Sequence, residues 1–222
     1  MRFAVIGTFF QRYENTFPLM HRLFVDGTRR PDEVWLMCEG KEDAEAIHSA
    51  FDELIELEVL DRVPLEASVV VIPTPRTYGS YDVIPYSNKI NFALDASRVD
   101  AFVYLDNNSM PGPDKYRVMA EALEENTEWG AVYCSQQRTG YVNEVFHARY
   151  PMPNAYCQLN YTQVMHRATE KRWTLDMAHA NPDLADAFFW RELHEELGTF
   201  YPAGGDMIQD FHHMASPAAA GL

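Results

Sequence analysis

The chain opens on an unbroken apolar run, Phe3 to Ile6, that stops at Gly7. Runs of the same kind return at Val34 to Cys38, Val69 to Ile72, Ala101 to Leu105 and Gly130 to Tyr133. A strand with one wet face alternates apolar and polar residues, whereas a strand covered on both faces is apolar throughout. These runs therefore read as interior strands. Segments of helical period separate most of them. Thr16 is placed to cap a helix carrying Phe17, Met20, Leu23 and Phe24, with Gly27 at its end. Ala44, Ile47, Phe51, Leu54 and Ile55 form the apolar side of a second helix, after Glu39-Gly40. Strands alternating with helices predict an α/β fold with a mostly parallel central sheet flanked by helices.

The pattern changes further along. Arg138 to Asn160 is rich in Tyr, Pro and Asn and has no sustained period, so it reads as an irregular lid or acceptor-side segment. Tyr161 to His166 reads as a further strand. Asp183, after Pro182, caps a helix running to about Leu197, with Gly198 as its stop. The small residues of Ser216 to Leu222 read as a frayed end. Without an internal repeat or linker, residues 1–222 read as a single domain, with residues 1–135 and 136–215 as its two halves.

Charge narrows the partners. Against 33 acidic side chains stand 18 basic ones, a net charge of −15. Affinity for nucleic acid comes from Lys and Arg gathered on one face, and the densest pairs here are Arg29-Arg30 and Lys171-Arg172. Nucleic acid is disfavoured as a partner. No apolar run approaches the roughly 20 residues that span a bilayer, and the short apolar start is too brief for a secretory signal. The expectation is a cytoplasmic protein with no membrane span. Cys38, Cys134 and Cys157 are dispersed and include no CxxC pair, so neither a zinc site nor a disulfide framework is predicted.

In open α/β sheets, ligands bind beyond the carboxyl ends of the strands, which singles out Thr8, Glu39 and Asp106. The richest stretch is Tyr104-Leu105-Asp106-Asn107-Asn108-Ser109, an apolar strand that ends in an acid and two amides before a helix begun by Pro113. Oxygen ligands at a strand tip suit Mg²⁺ or Mn²⁺ held against nucleotide phosphates. The same string suits an Asx-rich turn. No Gly-x-Gly-x-x-Gly or P-loop follows a strand, His194-Glu195 lacks the second His of a zincin, and Gly79-Ser80-Tyr81 is no nucleophile elbow.

The order of these features resembles the inverting family-2 glycosyltransferases and their GT-A relatives. Leu105-Asp106-Asn107-Asn108 stands where that family carries a Leu-Asp-x-Asp metal motif. Asn108 replaces the second acid. An amide oxygen ligates Mg²⁺ or Mn²⁺ without adding charge, which implies a weaker or dispensable metal. Thr8-Phe9-Phe10-Gln11-Arg12 looks like the first nucleotide-contacting loop, which implies donor contacts for Thr8 and Arg12. Glu39 is similar in place to an acid that meets the base or ribose. Asn91-Phe92-Ala93-Leu94 matches an Asn-x-Ala-Leu pattern of the family, which implies a donor contact for Asn91, and for Lys89, two residues earlier, a place facing the diphosphate. His212-His213 lies where many GT-A enzymes bring a histidine toward the metal.

A catalytic base is expected on the late helix. Asp186 recurs with Phe189, Trp190, Leu193 and Leu197 at helical spacing, which puts a carboxylate on an apolar face. Partial desolvation raises a carboxyl pKa and fits it to take a proton from an acceptor hydroxyl. Family members carry such a base at a helix start in this part of the chain, with Asp183 as the alternative to Asp186. Acids also favour the first turn of any helix through its dipole.

The resemblance implies a single GT-A (Rossmann-like) domain that transfers a sugar from a nucleotide diphosphate sugar to an acceptor hydroxyl, inverting and divalent-metal-assisted. Residues 1–135 would bind the donor and residues 136–215 the acceptor. Two rivals stand beside it. Asn108 favours a degenerate, non-catalytic GT-A domain that binds a nucleotide sugar or a protein partner. A sugar nucleotidyltransferase shares the sheet but needs a Gly-rich loop after the first strand, and Thr8 to Arg12 contains no Gly.

Overall fold

A computed structural model of the chain describes residues 1–9, 13–73, 83–107, 109–134, 136–139, 144–146, 161–173, 185–203 and 210–213. Its strands are β1 (Phe3–Phe9), β2 (Glu33–Cys38), β3 (Ala67–Val71), β4 (Ala101–Asp106), β5 (Ser109–Pro111), β6 (Ala131–Tyr133), β7 (Gln136–Thr139), β8 (Glu144–Phe146), β9 (Val164–Arg167), β10 (Phe200–Pro202) and β11 (Asp210–His213). Its α-helices are α1 (Thr16–His21), α2 (Lys41–Glu56), α3 (Val83–Ala96), α4 (Lys115–Glu125) and α5 (Ala185–Leu197).

Seven strands form the main sheet in the order β10-β6-β9-β4-β1-β2-β3. All pairings are parallel except those of β9, which runs against both β4 and β6. The apolar runs are unbroken because alternate residues enter opposite cores. Phe3 and Val5 of β1 join Val103 and Leu105 of β4 with Ile47 and Phe51 of α2 and Met119 of α4. Ala4 and Ile6 join Phe102 and Tyr104 with Ile90 of α3 and Trp190 of α5. β1 and β4 thus remove both faces from water, the main driving force for the sandwich of helices around the sheet. β3, read as an interior strand, is instead the sheet's edge and only half-buried, with Val71 exposed.

Local chemistry fixes the corners. The Asp43 carboxylate accepts a hydrogen bond from the Gly40 amide at 3.0 Å, turning β2 into α2 and placing an anion at the helix start. Gly198 ends α5 at φ 81°, a left-handed conformation, and its amide bonds to the His194 carbonyl at 2.9 Å. Gly130 lies so close to α5 that a Cβ there would sit 2.3 Å from the Leu197 carbonyl oxygen.

Several expectations change in detail. Thr16, expected as a cap, is the first residue of α1, with Asn15 at the cap position, and the helix widens into a π turn over Arg22–Asp26 before Gly27. The segment from Tyr161 opens with a 3-10 turn, Tyr161–Gln163, and only then becomes β9. β5 intervenes before the helix expected at Pro113, which starts at Lys115 with Asp114 as its cap residue. The described parts of the stretch read as irregular after Arg138 include strands. β7, β8, β5 and β11 make a four-stranded sheet in the order β5-β11-β7-β8. Its partners lie far apart in sequence, so no local period marks it. The tail from Ser216 and the irregular reading of 147–160 lie outside the described residues. Cys38 and Cys134 are buried free thiols, Cys157 lies outside the described residues, and burial pushes the Cys38 thiol up to about 12. No helix among the described residues is long and apolar enough to cross a membrane.

Candidate functional site

The parallel strands deliver their carboxyl ends to one edge of the main sheet. There β1 and β4 run in register, so that Thr8 stands opposite Asp106. Both are nearly buried, at 6% and 7% exposure. The chain just beyond Asp106 is held from two sides. Asn107 donates its amide to the Thr8 carbonyl at 3.3 Å, and the Asn15 side chain donates to the Asn107 carbonyl at 2.9 Å. Asp106 is thereby fixed at the tip of an interior strand.

Glu39 follows β2 at the same edge, and Lys89 of α3 donates to its carboxylate at 3.4 Å. Lys89 is only 3% exposed. An ammonium this deep needs an anion beside it, and Glu39 supplies one. Asn91, two residues on, bonds to neighbouring backbone. Its amide nitrogen donates to the Trp173 carbonyl at 2.7 Å while its amide oxygen accepts from the Trp173 amide at 2.9 Å. It pins α3, and with it Lys89, to the backbone of Trp173.

A residue that local sequence patterns did not single out joins the edge. The Tyr161 hydroxyl lies 3.4 Å from Thr8 Oγ1. It arrives there because β9 is antiparallel, which brings the start of that strand to the carboxyl ends of its neighbours. The turn carrying Tyr161 is anchored by Gln163, which exchanges backbone and side-chain hydrogen bonds with Cys134, both at 2.9 Å. Lys115 adds a third tie, donating to the Thr162 carbonyl at 2.6 Å.

The small sheet brings the late histidines to the same neighbourhood at the level of the backbone. In β11, His212 pairs with Ser109 of β5, close behind Asp106 in the chain, while His213 pairs with Thr139 of β7. Asp186 is the second residue of α5, one turn ahead of the buried Phe189 and Trp190. Arg12, Asn108 and Asp183 lie outside the described residues. Among the described residues, no three His, Cys, Asp or Glu side chains converge on one metal position. Asp106 still offers the anionic oxygen that Mg²⁺ or Mn²⁺ prefers. A cavity of about 320 Å³ lined by Arg30, Leu60, Arg62 and Leu65 lies at the opposite ends of β2 and β3, away from this chemistry.

No protein-family model matches this sequence, and no curated protein matches it. Solved structures do share its fold. The chain is similar to S. aureus TarS, with a TM-score of 0.68 at 12% identity over 98% of this chain and 37% of that one. TarS 1-349 in complex with UDP gives 0.65 at 12% identity, covering 98% of this chain and 61% of that one. The complex of TarS 1-349 with UDP-GlcNAc gives 0.64 at 12% identity, covering 100% and 62%. The chain therefore spans less than two thirds of the length of these TarS chains. The shared architecture is the α/β, mostly parallel GT-A arrangement that the sequence resemblance implies.

Proposed function

We propose that this domain transfers a sugar from a nucleoside diphosphate sugar to an acceptor hydroxyl. The observation that carries the reading is the gathering of Thr8, Asp106 and the Glu39–Lys89 pair along one sheet edge. That edge is where open α/β sheets take their ligands. Structures of the same fold hold UDP and UDP-GlcNAc, which makes a uridine diphosphate sugar the first donor to try.

In this reading, Glu39 accepts hydrogen bonds from the nucleoside while Lys89 both steadies Glu39 and offers positive charge to the diphosphate. Arg12 contributes on the β1 side. Asp106 and Asn108, with His212 or His213, would hold Mg²⁺ or Mn²⁺. Bound there, the cation supplies charge neutralisation for the departing diphosphate. Asp186, or Asp183 in its place, takes the proton of the acceptor hydroxyl. The acceptor oxygen bonds to the anomeric carbon as the bond to the diphosphate oxygen breaks, which inverts that carbon. Residues 136–215 provide the acceptor side.

The test is release of nucleoside diphosphate from a panel of nucleoside diphosphate sugars, with and without Mn²⁺. Slow hydrolysis without acceptor, faster with Mn²⁺, is expected. A shift in melting temperature with no release from any donor would instead indicate a binding module.

A further inference from the structure

We infer that Lys115 is a positioning residue for transfer: its ammonium holds the Tyr161–Gln163 turn so that the Tyr161 hydroxyl stays within reach of Thr8, beside Asp106. The inference rests on the transferase reading above and assigns that site a residue which itself meets neither donor nor acceptor.

Lys115 is an unusual place for a cation. It is fully buried, and it is the first residue of α4, the helix end where the backbone dipole disfavours positive charge. Lysine is almost never fully buried unless it is paired. An apolar side chain of similar length would fill the same space without desolvating an ammonium. The charge is therefore retained for its partners, of which the Tyr161–Gln163 turn is one. Its short bond, at 2.6 Å, goes to the carbonyl of Thr162, the middle residue of the turn. The ring of Tyr116 lies under the same ammonium at 5.6 Å.

The turn is tied to more than one part of the fold. Its flanks point to different tasks: Gln163 is locked to Cys134 of the main sheet, while Tyr161 reaches across to β1. The Tyr161 ring also meets Trp173 edge-on at 6.3 Å. A chain of contacts then runs from Lys115 through Thr162 and Tyr161 to Thr8, which is in register with Asp106. Releasing the ammonium loosens the Thr162 carbonyl and, one residue away, the Tyr161 hydroxyl.

The experiment is a double-mutant cycle on the full chain with Lys115→Met and Tyr161→Phe, read by UDP release from UDP-GlcNAc and by thermal melting. Each single variant should lower kcat about tenfold, on the scale of a misplaced site group. The double variant should be no slower than the slower single, because both changes break one connection. Melting temperatures should not show that coupling. Losses in kcat that multiply, or normal kcat in Tyr161→Phe, would overturn the inference. Tyr161→Phe removes one oxygen, and a normal kcat there overturns the inference even where Lys115→Met fails to fold. If the unaltered protein releases nucleoside diphosphate from no sugar donor, the transferase reading falls, and the inference falls with it.

Discussion

The hydroxyl of Tyr104 lies 2.7 Å from His166 Nε2, in the core between β4 and β9. His166 Nδ1 lies 2.8 Å from the Arg167 carbonyl, which only accepts. The proton therefore sits on Nδ1, and Nε2 accepts from Tyr104. The imidazole is neutral and fully buried, and burial pulls its pKa down to about 4. The unfolded chain binds a proton at this residue below the ordinary value of 6.5, while the folded chain does not until about 4. Stability from this group is thus complete above pH 6.5 and is lost as pH falls toward 4. The loss is on the order of 3 kcal/mol. Denaturant melts across that pH range should show it, and the same melts on His166→Gln should lack that component.

Gly130→Ala should destabilise the fold by about 1–3 kcal/mol, the usual range for an overpacked contact. The added Cβ meets the Leu197 carbonyl and Leu197 Cβ, which are fixed by the helix backbone and cannot swing away. Thermal melting measures it. An unchanged melting temperature would mean that α5 lies further from β6 than described.

Asp106→Ala should lower transfer at saturating donor by at least about 100-fold, the scale of removing one electrostatic contact to the reacting groups. Circular dichroism should remain that of the folded chain. Near-normal turnover would remove Asp106 from the mechanism.

Lys89→Met and Asn91→Ala should separate cleanly, although the two residues are neighbours on α3. Lys89→Met should weaken donor binding at least about tenfold, as expected for a lost hydrogen bond from a charged group. Asn91→Ala loses both bonds to the Trp173 backbone and should cost about 1–3 kcal/mol of stability. Calorimetry at a temperature where both variants are folded should find donor affinity largely kept in Asn91→Ala. A large loss of affinity there, with stability intact, would make Asn91 a direct donor contact.

What was legible in the sequence is what neighbouring residues decide. The apolar runs of β1, β2 and β4 declare two-sided burial by themselves, and the stripe from Ala44 to Leu54 declares one face of α2. Asp106 could be placed because an acid that ends such a run must lie at the sheet edge. Roles set by distant partners were not legible. Asn91 carries a family pattern, yet its amide is engaged by Trp173. Tyr161 sits in what reads as strand, and only the antiparallel sense of β9 puts it beside Thr8. The strand β7 is polar, β8 is only three residues long, and the β11 partner of β7 comes late in the chain.

That late partner has a bearing on how the molecule is made. β11 lies between β5 and β7, so the small sheet has no middle until Asp210–His213 has left the ribosome. The first four strands can zip together as they emerge, because their parallel pairings need only the amino-terminal portion. The strand β5, just behind Asp106 in the chain, waits for a partner about 100 residues further on. A nascent chain would thus pair the four strands of the amino-terminal half well before the small sheet can form around its central strand.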